Sequence, residues 1–307
     1  MKAVFDLGTN SVRLLVAEVN DKCVIQQKKE VRITRLGQGV DKTGKLDKAA
    51  ITRTLDAVFD LASEISPGVP VSIFATSAVR DAKNAREFSQ LVEERIGVPL
   101  EILSGAEEAQ LSFCGAVLSL CHLDLPDPVS VVDVGGGSTE IYSGLQTGKL
   151  LGGGSAQVGA VRMLERFISE HPLLSQDRAS MEDEIERLLQ PLVEDNLKLG
   201  PKTLIAVGGT ATSIAAMIRD LQVYDDYQVT GIAFSKSSLI DSYDHLARLS
   251  LQERREIPSL QVGREDVIVC GAAILVKVAE MMGAEEIVTS AWDLLYGKLV
   301  FPVDGGK

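Results

Sequence analysis

The sequence repeats one pattern at two places, VFDLGTNS at residues 4–11 and VVDVGGGS at residues 131–138. In each stretch an apolar run reaches an aspartate, Asp6 or Asp133, and a glycine and a serine follow at the same offsets. Each stretch predicts a strand, a glycine-bearing turn and a second strand. Because two such hairpins stand at equivalent places, we expect the chain to contain two structurally similar halves.

Apolar periodicity predicts the other elements, and the pattern restarts after residue 128. Helices are indicated at 47–66, 84–96, 106–121, 157–170, 176–198, 210–220, 235–249, 264–282 and 290–300. Strands are indicated at 3–7, 12–19, 71–76, 99–103, 129–134, 139–142 and 204–207, with further strands within 22–36. The segment HLDLPDP at 122–128 has two prolines and no periodicity, and it marks the predicted boundary between domains 1–123 and 124–307.

The composition is that of a globular protein with aliphatic cores. The 307 residues are 45% hydrophobic and 24% charged, while aromatic residues make up 5%. A formal net charge of −12 argues against nucleic-acid binding through a basic face. No apolar run is long enough to cross a membrane, and Asp6 interrupts the apolar start too early for a signal peptide.

The cysteines and histidines limit which metal sites and general bases the chain is expected to contain. None of the four cysteines forms a CxxC pair or joins a cluster with zinc spacing, which favours a reducing cytoplasm as the location. Cys114 and Cys121 are seven residues apart, which predicts two buried thiols on one helix face. The histidines are isolated, so carboxylates are the expected general bases.

The glycine-rich turns are suited to binding phosphate. A turn without Cβ atoms lets backbone N–H groups approach an anion closely, and serine and threonine add hydroxyl donors. Asp6 and Asp133 stand where a carboxylate can hold Mg²⁺, directly or through water. A third loop, GGT at 208–210, precedes a predicted helix, whose positive end favours anions. Each loop taken alone is also compatible with an ordinary tight turn.

Other phosphate motifs are excluded. The P-loop pattern GxxxxGK[ST] is absent, and GGGS leads into a strand, unlike a dinucleotide fingerprint. The two hairpins with a later GGT resemble the arrangement of the actin, Hsp70 and sugar-kinase superfamily. That resemblance implies an α/β protein with two ribonuclease-H-like (actin-like ATPase) domains flanking a phosphate-binding cleft.

Within that superfamily, the chain resembles the exopolyphosphatase/guanosine pentaphosphate phosphohydrolase family. The motifs that carry the resemblance are DLGTNSVR at 6–13, ATSAVRDA at 75–82, SGAEEA at 104–109, DVGGGSTE at 133–140, GGTATS at 208–213 and REDVI at 264–268. They follow the family's order and span nearly the whole chain. Long members carry a further helical region after the two domains, so this chain is expected to be a short form.

The family resemblance implies Mg²⁺-dependent removal of a terminal phosphate from inorganic polyphosphate or pppGpp. It places the catalytic glutamate at Glu108, metal and phosphate binding at Asp133 and Glu140, and a phosphate contact at Ser138. It also implies a homodimer as the assembly to test. Lack of the C-terminal region favours polyphosphate over pppGpp.

The residues themselves can carry such a mechanism. Glu108 is expected to orient and deprotonate the attacking water, and Asp6 is a further candidate for the metal, or a cap of its own turn. The expected phosphate-binding residues are Gly8, Thr9, Asn10, Ser11, Arg13, Arg80, Gly135, Gly136, Gly137, Ser138, Gly208, Gly209, Thr210 and Arg264. Each arginine could instead form a surface ion pair, and Glu107 and Glu108 could be a solvated pair in the first turn of a helix.

Two rival functions share these loops. One is an ATP-using kinase or actin-like ATPase, which would need an adenosine pocket. The other is a non-catalytic sensor that binds polyphosphate or a guanosine alarmone. The segment ATSAVRDA at 75–82 and the predicted helix with Glu-Glu-Ala at 107–109 favour the phosphohydrolase over the first rival. The presence of Glu108, Asp133 and Glu140 argues against the second.

Overall fold

The computed structural model describes residues 1–20 and 23–300. The chain forms two compact units, one comprising Met1–Leu111 with the chain from Leu294, the other Ser112–Asp293. The boundary predicted after residue 123 stays a prediction. Residue 22, within the predicted strand region 22–36, lies outside the described residues.

Strands and helices alternate along most of the chain. The strands are β1 Lys2–Leu7, β2 Ser11–Asn20, β3 Cys23–Ile33, β4 Val71–Ala75, β5 Leu100–Ile102, β6 Val129–Val134, β7 Thr139–Gly144, β8 Leu150–Ala156, β9 Thr203–Val207, β10 Ala233–Ser235 and β11 Glu286–Thr289. The helices are α1 Val40–Thr43, α2 Lys48–Ser63, α3 Ser77–Arg80, α4 Ala85–Ile96, α5 Gly105–Ser119, α6 Ala160–Phe167, α7 Ser175–Leu197, α8 Gly208–Ile218, α9 Asp226–Val229, α10 Lys236–Arg248, α11 Leu251–Arg255, α12 Ile268–Met281 and α13 Leu294–Val300.

Each unit is built on one mixed sheet, and the two sheets have corresponding topologies. Among the described residues, the first sheet has the order β3-β2-β1-β4-β5 and the second has the order β10-β11-β9-β6-β7-β8. In both, three sequential strands pair antiparallel, and the first of them also pairs in parallel with a later strand. The ribonuclease-H-like topology predicted for both halves is therefore confirmed.

Helix α2 illustrates how the sequence forms an element of the first core. The side chain of Asp47 accepts hydrogen bonds from the amides of Ala49 and Ala50, which caps the helix. Ile51, Val58 and Leu61 recur at helical spacing and are buried against the sheet. Each buried aliphatic side chain of this size contributes about 1.5–3 kcal/mol.

Several predicted bounds were wrong. Strands β8, β10 and β11 were missed, and residues 290–293 and 264–267 precede α13 and α12 instead of belonging to them. Cys114 is buried as predicted, but Cys121 is exposed because α5 ends at Ser119. No helix among the residues described has the length and apolarity needed to cross a membrane.

Helix α12 is buried over most of its length in the second unit, and Gly271 lets α8 approach it closely. A Cβ at Gly271 would lie 2.4 Å from Thr210 Oγ1 and 3.1 Å from Thr210 Cβ. Real Cβ atoms do not approach this closely, so one helix must move if a larger residue is introduced.

We expect Gly271→Ala to lower the free energy of unfolding by about 1–3 kcal/mol through overpacking. Urea denaturation measures this loss. Gly154→Ala is the matched control, because its Cβ would meet the flexible tip of Leu192 at 3.2 Å. Equal stability of the two variants would contradict the close packing of α8 on α12.

Candidate functional site

The two predicted glycine turns have the same construction. The amide of Gly8 donates to the carbonyl of Ser11 at 3.0 Å, and the amide of Gly135 donates to the carbonyl of Ser138 at 3.0 Å. Each turn joins the first strand of its sheet to the second. The repeat seen in the sequence is thus a repeat of the hydrogen-bonded turn itself.

In the first unit, neighbouring backbone amides donate hydrogen bonds to two carbonyls of the turn. The Thr9 carbonyl accepts from the Gly37 amide at 2.9 Å, and the Asn10 carbonyl accepts from the amides of Thr34 and Arg35 at 3.1 and 2.9 Å. Within the described residues, the Thr9 and Asn10 amides donate no hydrogen bond, and the Asn10 side-chain amide is buried without a partner. Donors without acceptors are costly when buried, so this turn is suited to an anionic ligand.

In the second unit, the start of α6 donates hydrogen bonds to the carbonyls of the GGGS turn at 135–138. The amides of Ala160, Val161 and Arg162 donate to the carbonyls of Gly135 and Gly136, and Arg162 Nε donates to the Gly137 carbonyl at 2.8 Å. The amides of residues 136–138 donate to no acceptor in the part of the chain that the structure describes. This turn also presents N–H groups to a ligand.

Two further glycines make these arrangements possible, and sequence reasoning missed both. A Cβ at Gly37 would lie 2.3 Å from Thr9 Cγ2, and a Cβ at Gly159 would lie 2.5 Å from the backbone of Gly136. Neither glycine belongs to a recognisable motif. The signal is the contact itself, which the sequence does not contain.

Behind each turn, the aspartate faces a charged residue on the next strand. Asp6 pairs across the strands with Arg13, and Asp133 pairs with Glu140. Arg13 Nε and Nη2 donate to Asp6 Oδ2 at 2.9 and 2.5 Å. The first hairpin therefore holds an ion pair where the second holds two carboxylates.

The carboxylates of Asp133 and Glu140 are held in place by serines. Ser112 Oγ donates to Asp133 Oδ2 at 2.8 Å, and Ser155 Oγ donates to Glu140 Oε1 at 2.6 Å. Glu140 is buried with 2% exposure. Directly opposed residues of an antiparallel pair have Cβ atoms about 4.5–5.5 Å apart, which lets one cation contact both.

This donor set fits Mg²⁺. Among the described residues, no group of three or more His, Cys, Asp or Glu side chains is placed to hold a metal ion. Mg²⁺ is commonly bound by one or two carboxylates, with water and substrate phosphate oxygens completing the octahedron. Asp133 and Glu140 supply that number of protein ligands.

The third predicted loop adjoins this carboxylate pair. Gly208 begins α8 with φ +81°, and a Cβ there would lie 2.6 Å from Asp133 Oδ1. Helix α8 has no side-chain hydrogen bond capping its start. The first amides of the helix, at residues 208–210, thus lie at its positive end near Asp133.

Arg264 lies against the first turn of α8, where its guanidinium could contact a bound anion. A Cβ at Gly209 would lie 2.2 Å from its guanidinium carbon, and its Nε donates to Gln261 Oε1 at 2.9 Å. The segment that follows is anchored by Arg254, which is fully buried and donates through Nη1 to the Glu265 carbonyl at 3.0 Å. Burial lowers the pKa of Arg254 to about 10. Sequence reasoning missed this anchor.

In the first unit, Glu108 is held by Arg80. Arg80 Nη1 donates to Glu108 Oε2 at 2.9 Å and to the Leu103 carbonyl at 2.8 Å. Glu108 is 7% exposed, so the pair is largely shielded from solvent. Arg80 Nη2 is buried and has no hydrogen-bond partner among the described residues, which leaves a donor for a ligand oxygen.

The neighbouring glutamate has a structural role. Glu107 accepts hydrogen bonds from the Ser104 amide and hydroxyl, both at 2.8 Å, while its own amide donates to the Ser104 hydroxyl. This is a capping box at the start of α5. The bonds from the backbone and side chain of Ser104 lower the pKa of Glu107. The two glutamates therefore have different partners, Ser104 for Glu107 and Arg80 for Glu108.

The predicted residues fall into two groups, one in each unit. Asp6, Arg13, Arg80 and Glu108 belong to the first unit with the turn at 8–11. The second unit contains the other members: Asp133, Gly135, Gly136, Gly137, Ser138, Glu140, Gly208, Gly209, Thr210 and Arg264. A cavity of about 400 Å³ in the second unit lies elsewhere, at the amino ends of β9 and β11, and none of these residues lines it.

Comparisons with known proteins show the family and the fold of the chain. The model of the Ppx/GppA phosphatase family matches residues 15–300. "Exopolyphosphatase 2" of Mycobacterium tuberculosis is 33% identical over 314 residues, covering 96% of each chain. A crystal structure of an exopolyphosphatase-like protein matches with a TM-score of 0.90 and 33% identity over 97% of each chain. The Aquifex aeolicus member of the Ppx/GppA family matches with a TM-score of 0.80 and 29% identity, covering 97% of this chain and 95% of that chain.

We expect Gly209→Ala to displace the Arg264 guanidinium without unfolding the protein, because the obstructed atoms are the flexible end of a side chain. Loss of a charge-assisted hydrogen bond to an anion costs about 1.5–3 kcal/mol, so tripolyphosphate should bind about 10- to 100-fold more weakly. Isothermal titration calorimetry measures the affinity. Gly154→Ala serves again as the control, and wild-type affinity in Gly209→Ala would remove Arg264 from the binding site.

Proposed function

This chain belongs to the Ppx/GppA phosphatase family, and from that premise we propose that it is an Mg²⁺-dependent exopolyphosphatase. In this proposal it hydrolyses the terminal phosphoanhydride of inorganic polyphosphate and releases orthophosphate. The similarity to exopolyphosphatase 2 over 96% of each chain supports polyphosphate as the substrate.

One observation carries the proposal. In both glycine turns, neighbouring protein groups donate to carbonyls of the turn, namely those of Thr9, Asn10 and residues 135–137. The amides of Thr9, Asn10 and residues 136–138 donate to no acceptor among the described residues. A polyphosphate supplies several anionic acceptor oxygens, which make stronger hydrogen bonds to such amides than neutral acceptors do. The start of α8 adds a third set of donors beside Asp133.

Asp133 and Glu140 would hold Mg²⁺, which supplies neutralisation of phosphate charge when bound. Ser112 and Ser155 fix the orientation of these carboxylates, as outer-shell partners do at metal sites. The amides of residues 136–138 and 208–210, together with Arg264, bind the phosphate oxygens and hold the anion in a fixed position. Phosphoryl transfer depends mainly on such positioning and on charge stabilisation.

We assign to Glu108 the role of general base, which orients and deprotonates the attacking water. Arg80 holds Oε2 of this carboxylate and has a further donor, Nη2, for a phosphate oxygen. Arg80 would thus contact both the general base and a phosphate of the substrate. The capping role of Glu107 supports the choice of Glu108, because the Glu107 carboxylate is already engaged by Ser104.

We expect Mg²⁺-dependent release of orthophosphate from polyphosphate, abolished by EDTA. In Glu108→Gln the rate should fall by about 10²–10⁴-fold, because general base catalysis typically contributes that much. A malachite green assay with short polyphosphate, long polyphosphate and pppGpp measures both rate and preference. Glu107→Gln is the matched control, since glutamine also completes a capping box.

Each other outcome has a defined meaning. Preference for pppGpp would reassign the substrate to guanosine pentaphosphate. Tight binding of polyphosphate without release would favour the sensor, and ATP hydrolysis without polyphosphate hydrolysis would favour the ATPase. Unchanged release in Glu108→Gln would keep the enzyme and overturn the choice of base.

The proposal also includes the setting in which the enzyme acts. Among the described residues, Cys114, Cys121 and Cys270 form no disulfide, which supports a cytoplasmic location. The net charge of −12 supports a protein without a nucleic-acid partner. The family resemblance implies a homodimer, and light scattering on the purified chain would test this oligomeric state.

A further inference from the structure

The two hairpins differ at one chemically decisive position. They share the strand pairing and the turn hydrogen bond, and each has an aspartate two residues before the first glycine of its turn. The residue facing that aspartate is Glu140 in the second hairpin and Arg13 in the first. A position that carries a negative charge in one copy therefore carries a positive charge in the other.

The ion pair in the first hairpin is tightly built. Two nitrogens of Arg13 donate to the same oxygen of Asp6, and the Asp6 and Arg13 side chains are only 4% and 17% exposed. A guanidinium stays protonated at any physiological pH, so this positive charge is permanent. The net charge of the pair is zero, whereas Asp133 and Glu140 together carry two negative charges when ionised.

This difference decides where a metal ion can bind. The second hairpin offers two anionic ligands to a divalent cation, while in the first hairpin such a cation would approach Arg13. The Asp6 carboxylate also lies beside the turn, since a Cβ at Gly8 would be 3.9 Å from both of its oxygens. The Arg13 guanidinium is therefore bound to a carboxylate at the edge of a turn whose Thr9 and Asn10 amides donate to no acceptor among the described residues.

We propose that Arg13 is the built-in cation of the first hairpin and takes the part that the metal ion has in the second. Asp6 is then a positioning residue that orients Arg13 toward a phosphate of the substrate. The sequence indicated Asp6 as a metal ligand, and this inference replaces that role. This inference rests on the proposed function, because it compares Arg13 with a metal ion at Asp133 and Glu140.

The test counts metal ions, using Mn²⁺ as a probe of the Mg²⁺ site and electron paramagnetic resonance to measure free Mn²⁺. The full chain should bind one Mn²⁺ tightly, and Asp6→Asn should bind one with unchanged affinity. In Arg13→Glu the first hairpin acquires the carboxylate pair of the second, so two Mn²⁺ should bind. Circular dichroism and thermal melting establish that each variant is folded.

Several results would overturn the inference. A drop of about 10-fold or more in Mn²⁺ affinity in Asp6→Asn would make Asp6 a ligand or part of the metal's surroundings. A folded Arg13→Glu that still binds one Mn²⁺ would contradict the equivalence of the hairpins. If Arg13→Glu does not fold, the Asp6→Asn titration alone decides between ligand and positioning residue.

A second readout tests positioning directly. Asp6→Asn should raise KM for polyphosphate by about 10-fold, the effect of one weakened charge-assisted hydrogen bond, while the Mg²⁺ concentration for half-maximal activity stays unchanged. An unchanged KM would overturn the positioning role. Asp133→Asn should abolish tight Mn²⁺ binding. If it does not, the metal site of the proposed function has failed, whatever the result for Asp6.

Discussion

The hydrogen bond from the first glycine amide of each turn to the serine carbonyl three residues later is the constraint on which the rest of the site depends. It closes the chain tightly between two antiparallel strands, at Gly8 and Ser11 and again at Gly135 and Ser138. Once the chain is closed in this way, the two middle amides of each turn donate to no acceptor among the described residues. The aspartate that precedes the turn is brought beside the facing strand, so backbone donors and charged side chains are concentrated together.

Such a turn requires support from elsewhere in each unit. Its carbonyls must be satisfied, and the two units solve this with unrelated elements, a loop around Gly37 in one and the start of α6 in the other. Arg254 has a comparable role for the segment that carries Arg264. A buried arginine is tolerated there because the backbone carbonyls of Leu246 and Glu265 accept hydrogen bonds from its Nε and Nη1. The groups proposed to bind phosphate are thus fixed in place by other residues of the same unit.

The sequence predicted the features that are local and repeated. The strand–turn–strand pattern and the glycines that begin α8 both follow from spacing and turn chemistry. Strand β8, with the sequence LLGGGSA, was missed because its glycines suggest a loop, although its residues pair with β7. The ion pair of Glu108 with Arg80 could not be predicted, since the two residues are 28 positions apart and only the fold brings them together.

The pairing of Asp6 with Arg13 has a bearing on how the protein would respond to its ionic surroundings. A side chain cannot dissociate, so the charge of the first hairpin is independent of the free magnesium in the cell. Under the proposed function, the charge of the second hairpin would follow that concentration. A fall in free magnesium would then empty the site at Asp133 and Glu140 and leave the Arg13 guanidinium in place to bind the substrate.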